Sequence, residues 1–307
     1  MEAAMAFAGE QSSRSVVWVT GGRIVAEQQW GVSADWSRDI ASAQKSVVAV
    51  LCAIAGEQGL LDYETAVSDL LGPGWTAEDD EEAEARITVR HLLSMTSGLD
   101  TDLRVEAAPG TVWFYNNDAY HRLHQVLEAA AGTELEDLTR SWLWEPIGVR
   151  HAAWVPRPGE GELSVDVTGR RLIGLVMNAY DLARFALLVE RGGWWGNQQV
   201  VAGESIEELL QPSSELNPSY GLLWWLNGQE AYRAPGSDPP LEPGPLVPGA
   251  PEDTVAALGA NDQKAYVIRS FDSVLTRLGQ SAEGKLLAAL SGFDGDWLSL
   301  VSQARAG

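Results

Sequence analysis

Strand-forming segments stand at both ends of this chain, and that arrangement constrains its fold more than any other feature. Near the N-terminus, RSVVWVT and GRIVAEQQWG are two β-rich runs separated by Gly21 and Gly22, which suits a hairpin. Far along the chain, DTVAALGA, QKAYVIRS and SVLTRLG are three short runs at regular spacing, followed by the helical GKLLAALSGFDGDWLSLVSQA. Strand backbones need hydrogen-bond partners, so both sets are expected in one sheet built from the two termini. What lies between must then be an insertion, and the junction is the expected place for a functional site.

The middle, from about Asp62 to Leu226, reads as mostly helical. TVRHLLSMTSGL opens on Thr88 as an expected cap, NDAYHRLHQVLEAAAG carries an i, i+3, i+4 apolar pattern closed by Gly132, and NAYDLARFALLVERGG ends at a glycine pair, with Asp181 the expected cap of its helix. Residues 228–251 hold half of the chain's fourteen prolines and read as a long loop, in the position of a lid. The expected organisation is a single domain, 1–307. Its parts are a sheet subdomain from 1–61 and 252–307, a mostly helical subdomain from 62–227, and the Pro-rich loop 228–251.

A chain of 307 residues with 21 basic and 43 acidic side chains, net charge −22, is poorly suited to nucleic acid or to an anionic membrane surface. Its acidic run AEDDEEAEA is expected on a solvated face. No apolar run approaches the length needed to cross a bilayer. Cys52 is the single cysteine, and its setting in AVLCAIAG is that of a small buried hydrophobe. The N-terminus lacks the basic and apolar regions of a secretory signal, so the expected compartment is cytoplasmic, or periplasmic or secreted if a leader has been removed.

Chemistry concentrates in DIASAQKSVVAVLCAIAG. The apolar positions Val47, Val48, Val50, Leu51, Ile54 and Ala55 have helical spacing, so Ser42 and Lys45 share one face near the helix start. There the helix dipole favours negative charge on the serine oxygen, and a lysine inside an apolar helix loses affinity for its proton. Ser42 and Lys45 therefore read either as a nucleophile and its activating amine or as a capping serine beside a snorkelling lysine. A second constellation is GTVWFYNND, with Tyr115 and Asn117 in the chain's single Tyr-x-Asn. A tyrosine near an ammonium can have its pKa lowered and act as base or acid, and an asparagine can hold both the lysine and a substrate carbonyl. The alternative is a buried tyrosine in a turn capped by Asn117.

The order Ser-x-x-Lys, HLLSMTSGL, FYNND, LWEPIGV, GLVMNAYDLARFALLVERGGWWG and LNPSYGLLWWLN resembles the serine hydrolase superfamily of class C β-lactamases, penicillin-binding proteins and esterases, from about Ser15 to Gly279. The resemblance implies an α/β (α+β) class: an antiparallel sheet flanked by helices, an inserted helical subdomain and a site between them. By motif, Ser42 matches the nucleophile, Lys45 its activating amine, Tyr115 the general base and acid, and Asn117 the third member of the Tyr-x-Asn motif. No metal or organic cofactor is implied.

The third motif departs from the family pattern. Where that superfamily usually carries Lys-Thr-Gly or a histidine variant, this chain has Ala257, Leu258 and Gly259, with no cation for a substrate carboxylate. Gly259 still lets the backbone approach, and the N–H groups of Ala260 and Ser42 can form an oxyanion hole without any particular side chain. The pattern A-x-G-x-x-x-Q is similar to the branch holding carboxylesterases and hydrolases of nylon-type amide oligomers. The expected substrate is a small-molecule ester or linear amide. The alternatives are β-lactamase or D,D-peptidase activity, or a weak penicillin- or peptidoglycan-binding module.

Other residues are secondary. Trp113, Trp224 and Trp225 are candidates to line an apolar acyl pocket. His121 and His124 lie at i, i+3 without a carboxylate or cysteine pattern to complete a metal site, and His91 and His151 read as structural or exposed.

Overall fold

The computed structural model describes residues 1–77, 80–158, 164–166, 169–236, 239–284 and 289–306. The two terminal sets of strands do pair. A six-stranded antiparallel sheet runs in the order Arg23–Gln29, Ser13–Thr20, Ser273–Gly279, Gln263–Ile268, Thr254–Gly259, Trp225–Leu226. The first and last long strands are neighbours, with Trp18 opposite Leu275 and Val16 opposite Arg277. Every residue of the three C-terminal strands is buried, so these strands read as near-continuous rather than alternating runs.

Alternation along a strand sends neighbouring side chains to opposite faces, and each face has its own cover. On one face, the terminal helices Glu2–Glu10 and Gly292–Ala306 pack together: Phe7 stacks on Phe293 at 5.8 Å, and Trp297 Nε1 donates to Ala4 O at 3.0 Å. Lys264 and Tyr266 point there and meet Asp294 of the C-terminal helix. The opposite face carries the helices Gln44–Glu57 and Ala179–Glu190. Thr276 Oγ1 donates to Ala179 O at 2.9 Å on that side.

The first helix, Glu2–Glu10, has no counterpart in the strand and motif pattern. Helix Gly292–Ala306 takes up the later part of the expected C-terminal helical segment 284–304 and runs two residues past it; 289–291 are not helical, and 285–288 lie outside the described residues. The middle of the chain is less helical than its apolar spacing predicts. Ser37–Asp39, Ile173–Asn178 and Ala152–Pro156 form a second, three-stranded antiparallel sheet in that order. This sheet ties the segment just before Ser42 to the insertion.

Caps also differ in detail. Thr88 caps its helix as expected, its N–H donating to His91 Nδ1 at 3.0 Å. Helix Ala179–Glu190 is capped by Asn178, whose side chain accepts from the Asp181 N–H; the Asp181 carboxylate instead accepts from Arg150 and His151 N–H. The acidic run is only partly on solvent. Asp80, Glu81 and Glu82 are exposed, residues 78 and 79 lie outside the described residues, and Glu84 is fully buried, accepting from Gly74 and Thr76 N–H.

The Pro-rich stretch has anchors at both ends. Its Ala231–Tyr232 pairs with Glu242–Pro243, Arg233 donates to Leu216 O at 2.8 Å, and Val247 N–H donates to Asn227 Oδ1 at 2.9 Å. Gly249 lies against Ser299 of the C-terminal helix, so this end of the stretch packs at the terminal-helix side.

Candidate active site

Ser42 sits in a 3₁₀ turn, Ala41–Ala43, that leads directly into the buried helix Gln44–Glu57. The turn is strained and held. Ala41 has φ of 51°, a left-handed conformation that costs a non-glycine residue energy. Its N–H is fixed by Asp39 Oδ1 at 2.7 Å, and Asp39 is in turn paired with Arg157 at 2.9 Å. Behind the turn, buried Gln44 accepts from Leu175 N–H at 2.7 Å and Ser46 donates to Leu223 O at 2.9 Å. These bonds leave Ser42 little freedom to move.

Lys45 follows on the same helical face. Its Nζ lies 3.1 Å from Ser42 Oγ and 2.8 Å from Asn117 Oδ1, and 4.8 Å and 4.4 Å from the ring centres of Tyr115 and Tyr120. The side chain is buried, and burial first, with Arg157 adding to it, pulls its pKa well below the ordinary lysine value; Asp118 and Asp39 oppose the shift. A neutral amine next to a serine hydroxyl can accept its proton.

Tyr115 hydrogen-bonds the Ser42 side chain, but burial raises its pKa. The expected lowering by a neighbouring ammonium does not occur: burial, which disfavours a phenolate, outweighs the lowering by the Ser42 hydrogen bond. Tyr115 therefore keeps its phenol proton beside Ser42. Its ring stacks on Trp225 at 5.9 Å, and Trp113 and Tyr220 close the cluster, with Tyr220 to Trp225 at 4.7 Å. Trp224 is not part of it. Adjacent residues turn opposite ways, and Trp224 is fully buried against Phe185 at 6.0 Å.

Asn117 begins the helix Asn117–Ala131, and the cap is Asn116, which accepts from Ala119 N–H at 3.0 Å and donates to Asp100 O at 2.7 Å. One helical turn on, Tyr120 continues the same face; its hydroxyl meets Gln44 and lies 3.0 Å from His124 Nε2. Sequence reasoning missed Tyr120, although the i, i+3 step from Asn117 pointed to it. His121 and His124 are buried in this aromatic layer, where burial holds both below the ordinary histidine value, His124 at about 3. Among the described residues no group of three or more His, Cys, Asp or Glu is arranged to hold a metal ion. His91 serves the Thr88 cap, and His151 is half exposed. Cys52 is fully buried, and burial raises its thiol pKa.

Gly259 ends the strand that faces the Ser42 turn. A Cβ there would fall 2.1 Å from Ile40 O and 3.1 Å from Ala43 N, so backbone meets backbone at this point. Ala260 follows it on the hairpin turn, with its carbonyl 3.3 Å from Gln263 Nε2. The structure thus brings Ser42, Lys45, Tyr115, Asn117, Trp113 and Trp225 together, with the Gly259–Ala260 backbone against the serine turn.

Comparison with known proteins bears on the family and the fold. The family model described as Beta-lactamase matches residues 3–259. A putative beta-lactamase from Bacteroides dorei superposes with a TM-score of 0.77 at 17% identity, covering 100% of this chain and 98% of that one. A putative 6-aminohexanoate-dimer hydrolase from Bacillus anthracis gives 0.72 at 17% identity, covering 98% and 81%. EstCE1, described as a hydrolase with promiscuous acyltransferase activity, gives 0.69 at 16% identity, covering 100% and 97%. Identities this low speak to fold.

Proposed function

Since this chain belongs to the beta-lactamase family, we propose that it is a serine hydrolase that cleaves a carboxylic ester or linear amide through an acyl-enzyme on Ser42. The observation that carries the reading is the Lys45 Nζ, buried, 3.1 Å from Ser42 Oγ and 2.8 Å from Asn117 Oδ1. In this reading the neutral Lys45 amine takes the Ser42 proton as Oγ attacks the substrate carbonyl carbon. The carbonyl oxygen becomes an oxyanion facing the N–H groups of Ser42 and Ala260. On collapse, the bond to the leaving group breaks and Tyr115 supplies its proton, to be replenished from Lys45. Water then attacks the acyl-enzyme by the reverse proton path, and Ser42 Oγ leaves with a proton as the acid is released.

Substrate preference follows from charge. Ala257, Leu258 and Gly259 offer no cation, and Lys264 on the adjoining strand points to the other face of the sheet, 3.0 Å from Asp262 and 2.7 Å from Asp294. A substrate whose recognition depends on a carboxylate held at this strand finds no partner there. That favours esters and linear amides over β-lactams and D-alanyl peptides, and it agrees with the names of two structures of the same fold. Asn117 orients Lys45 and the substrate carbonyl side, and Trp113 and Trp225 wall the acyl group.

Hydrolysis of p-nitrophenyl butyrate by the wild type beside Ser42→Ala tests the reading. Release of nitrophenol by the wild type alone supports it. Equal rates in both would remove Ser42 as nucleophile, and a stable adduct without turnover would favour a binding module.

A further inference from the structure

The turn that presents Ala260 is a three-residue connection, Ala260-Asn261-Asp262, and two of its residues, Asn261 and Asp262, are left-handed at φ of 58° and 59°. Such a turn between strands has no intrinsic reason to hold one N–H direction to a few tenths of an ångström. Residue 263 supplies that reason.

Gln263 is fully buried. Its Nε2 donates to Asn261 O at 2.7 Å, to Gly279 O at 3.0 Å and to Ala260 O at 3.3 Å, while its Oε1 accepts from Gly279 N–H at 3.1 Å. The amide therefore grips the turn on one side and the end of the neighbouring strand on the other. Ala260 is caught between two fixed points. Gly259 before it is paired with Gln263 in the sheet and wedged against Ile40, and the peptides after it are held by the Gln263 amide.

The same Gly279 carbonyl has a second donor, Arg38 Nη1. Arg38 lies on the short strand Ser37–Asp39, which leads straight into the Ser42 turn. One backbone carbonyl thus joins the segment that carries the Ser42 N–H to the segment that carries the Ala260 N–H.

We propose that Gln263 is a positioning residue for the oxyanion site, its side-chain amide and the shared Gly279 carbonyl setting the Ala260 N–H against the Ser42 N–H. The proposal rests on the acyl-enzyme reading above. Gln263 touches no substrate; it acts through the direction of one backbone donor. Misdirection of that donor weakens the transition state, where charge gathers on the oxygen, far more than it weakens substrate binding.

The test compares p-nitrophenyl butyrate with its thiono counterpart, in which sulfur replaces the carbonyl oxygen and accepts hydrogen bonds weakly. Wild type favours the oxygen ester by a ratio that reports on the oxyanion donors. Gln263→Met keeps the length of the side chain and removes the amide. The expected result is a ratio of kcat/KM values narrowed by about tenfold or more, through kcat on the oxygen ester, with KM little changed. A misfolded fraction would lower both substrates equally and leave the ratio alone, so an unchanged ratio in Gln263→Met overturns the assignment. Should Gln263→Met fail to fold, Arg38→Met reads the same carbonyl from a half-buried position: narrowing supports the clamp and an unchanged ratio overturns it. Ser42→Ala run alongside separates the two levels. Full activity in Ser42→Ala removes the acyl-enzyme reading and this inference with it, whereas Ser42-dependent hydrolysis with an unmoved ratio removes only the clamp.

Discussion

Gly259 and Ile40 meet backbone to backbone, the position of a Cβ on the glycine lying 2.1 Å from the Ile40 carbonyl oxygen. The contact seats the strand end that leads to Ala260 on the turn that carries Ser42. Neither partner can yield easily, since both are main chain and the turn is already strained at Ala41. Gly259→Ala is therefore expected to push the two segments apart. Ester hydrolysis should fall by about a hundredfold for a shift approaching 1 Å, with a lowered melting temperature, measured on purified protein by steady-state kinetics and thermal unfolding.

Lys45 gives a pH dependence with a defined sign. Burial and Arg157 favour its neutral form, so its amine is ready to accept a proton well below the ordinary value of 10.5. Below its own pKa the amine is charged and cannot act, and kcat/KM should rise with pH through one ionisation and then level. Lys45→Arg keeps a cation that never releases its proton. It should lose roughly a hundredfold to ten-thousandfold of activity, and a pH–rate profile of the variant that keeps the wild-type acid limb would exclude Lys45 as its source.

Much of this architecture was legible in the chain. The terminal strand runs are β-branched and continuous, and the Ser42–Lys45 step is fixed by helical geometry alone. What escaped were relations that local spacing does not encode. Arg157 and Asp39, which hold the Ser42 turn, are 118 residues apart, and Gln44 reaches across 131 to Leu175. Two N-caps were misplaced for a different reason. Asn116 and Asn117 are the same residue type in succession, and Asn178 precedes Asp181 by one helical turn, so either member suits an N-cap chemically and only the helix start decides. Trp224 and Trp225 pose the same problem, since two adjacent tryptophans on an extended chain face opposite ways and composition cannot say which one meets Tyr115.

Tyr115 is expected to matter in proportion to the leaving group. With its pKa raised by burial it is protonated at neutral pH, hydrogen-bonded to Ser42 and able to donate as a substrate's alcohol or amine departs. A nitrophenolate leaves without a proton; an alkoxide does not. Tyr115→Phe should thus reduce hydrolysis of an alkyl butyrate by on the order of a hundredfold or more and that of p-nitrophenyl butyrate clearly less. Equal losses on the two esters would argue that the hydroxyl only positions Ser42.

Acid should weaken the fold through the buried histidines. His124 is held at about 3 against an ordinary 6.5, because its ring is buried beside Tyr120 and Trp154 and repelled by Arg170. Between those values the unfolded chain binds a proton that the folded one refuses. Stability is therefore fully present above about pH 6.5 and falls as pH drops towards 3, by up to about 1.4 kcal/mol per pH unit for one such group. His124→Phe removes the titration at some cost in the Tyr120 hydrogen bond. Denaturant midpoints at pH 7 and pH 4 should differ less in the variant than in the wild type, and equal differences would place the acid sensitivity elsewhere.

The two faces of the Gln263–Ile268 strand separate stability from chemistry. Gln263 serves the face towards Ser42. Lys264, one residue on, serves the other, where it is fully buried between Asp262 and Asp294 and also donates to Ala289 O at 2.5 Å. Lys264→Met would leave two carboxylates buried without their shared cation, a loss of about 3–5 kcal/mol when one partner of a buried pair is removed. Asp262 belongs to the Ala260 turn, but its carboxylate keeps the Ala282 N–H at 2.8 Å and the Ser291 hydroxyl at 3.2 Å, and its backbone carbonyl keeps Arg277 at 2.7 Å. The turn therefore retains anchors that do not run through Lys264. Lys264→Met should unfold at markedly lower denaturant while the folded protein keeps the wild-type preference for oxygen ester over thionoester. A narrowed preference in this variant would mean that the ion pair, rather than the Gln263 amide, sets the direction of the Ala260 N–H.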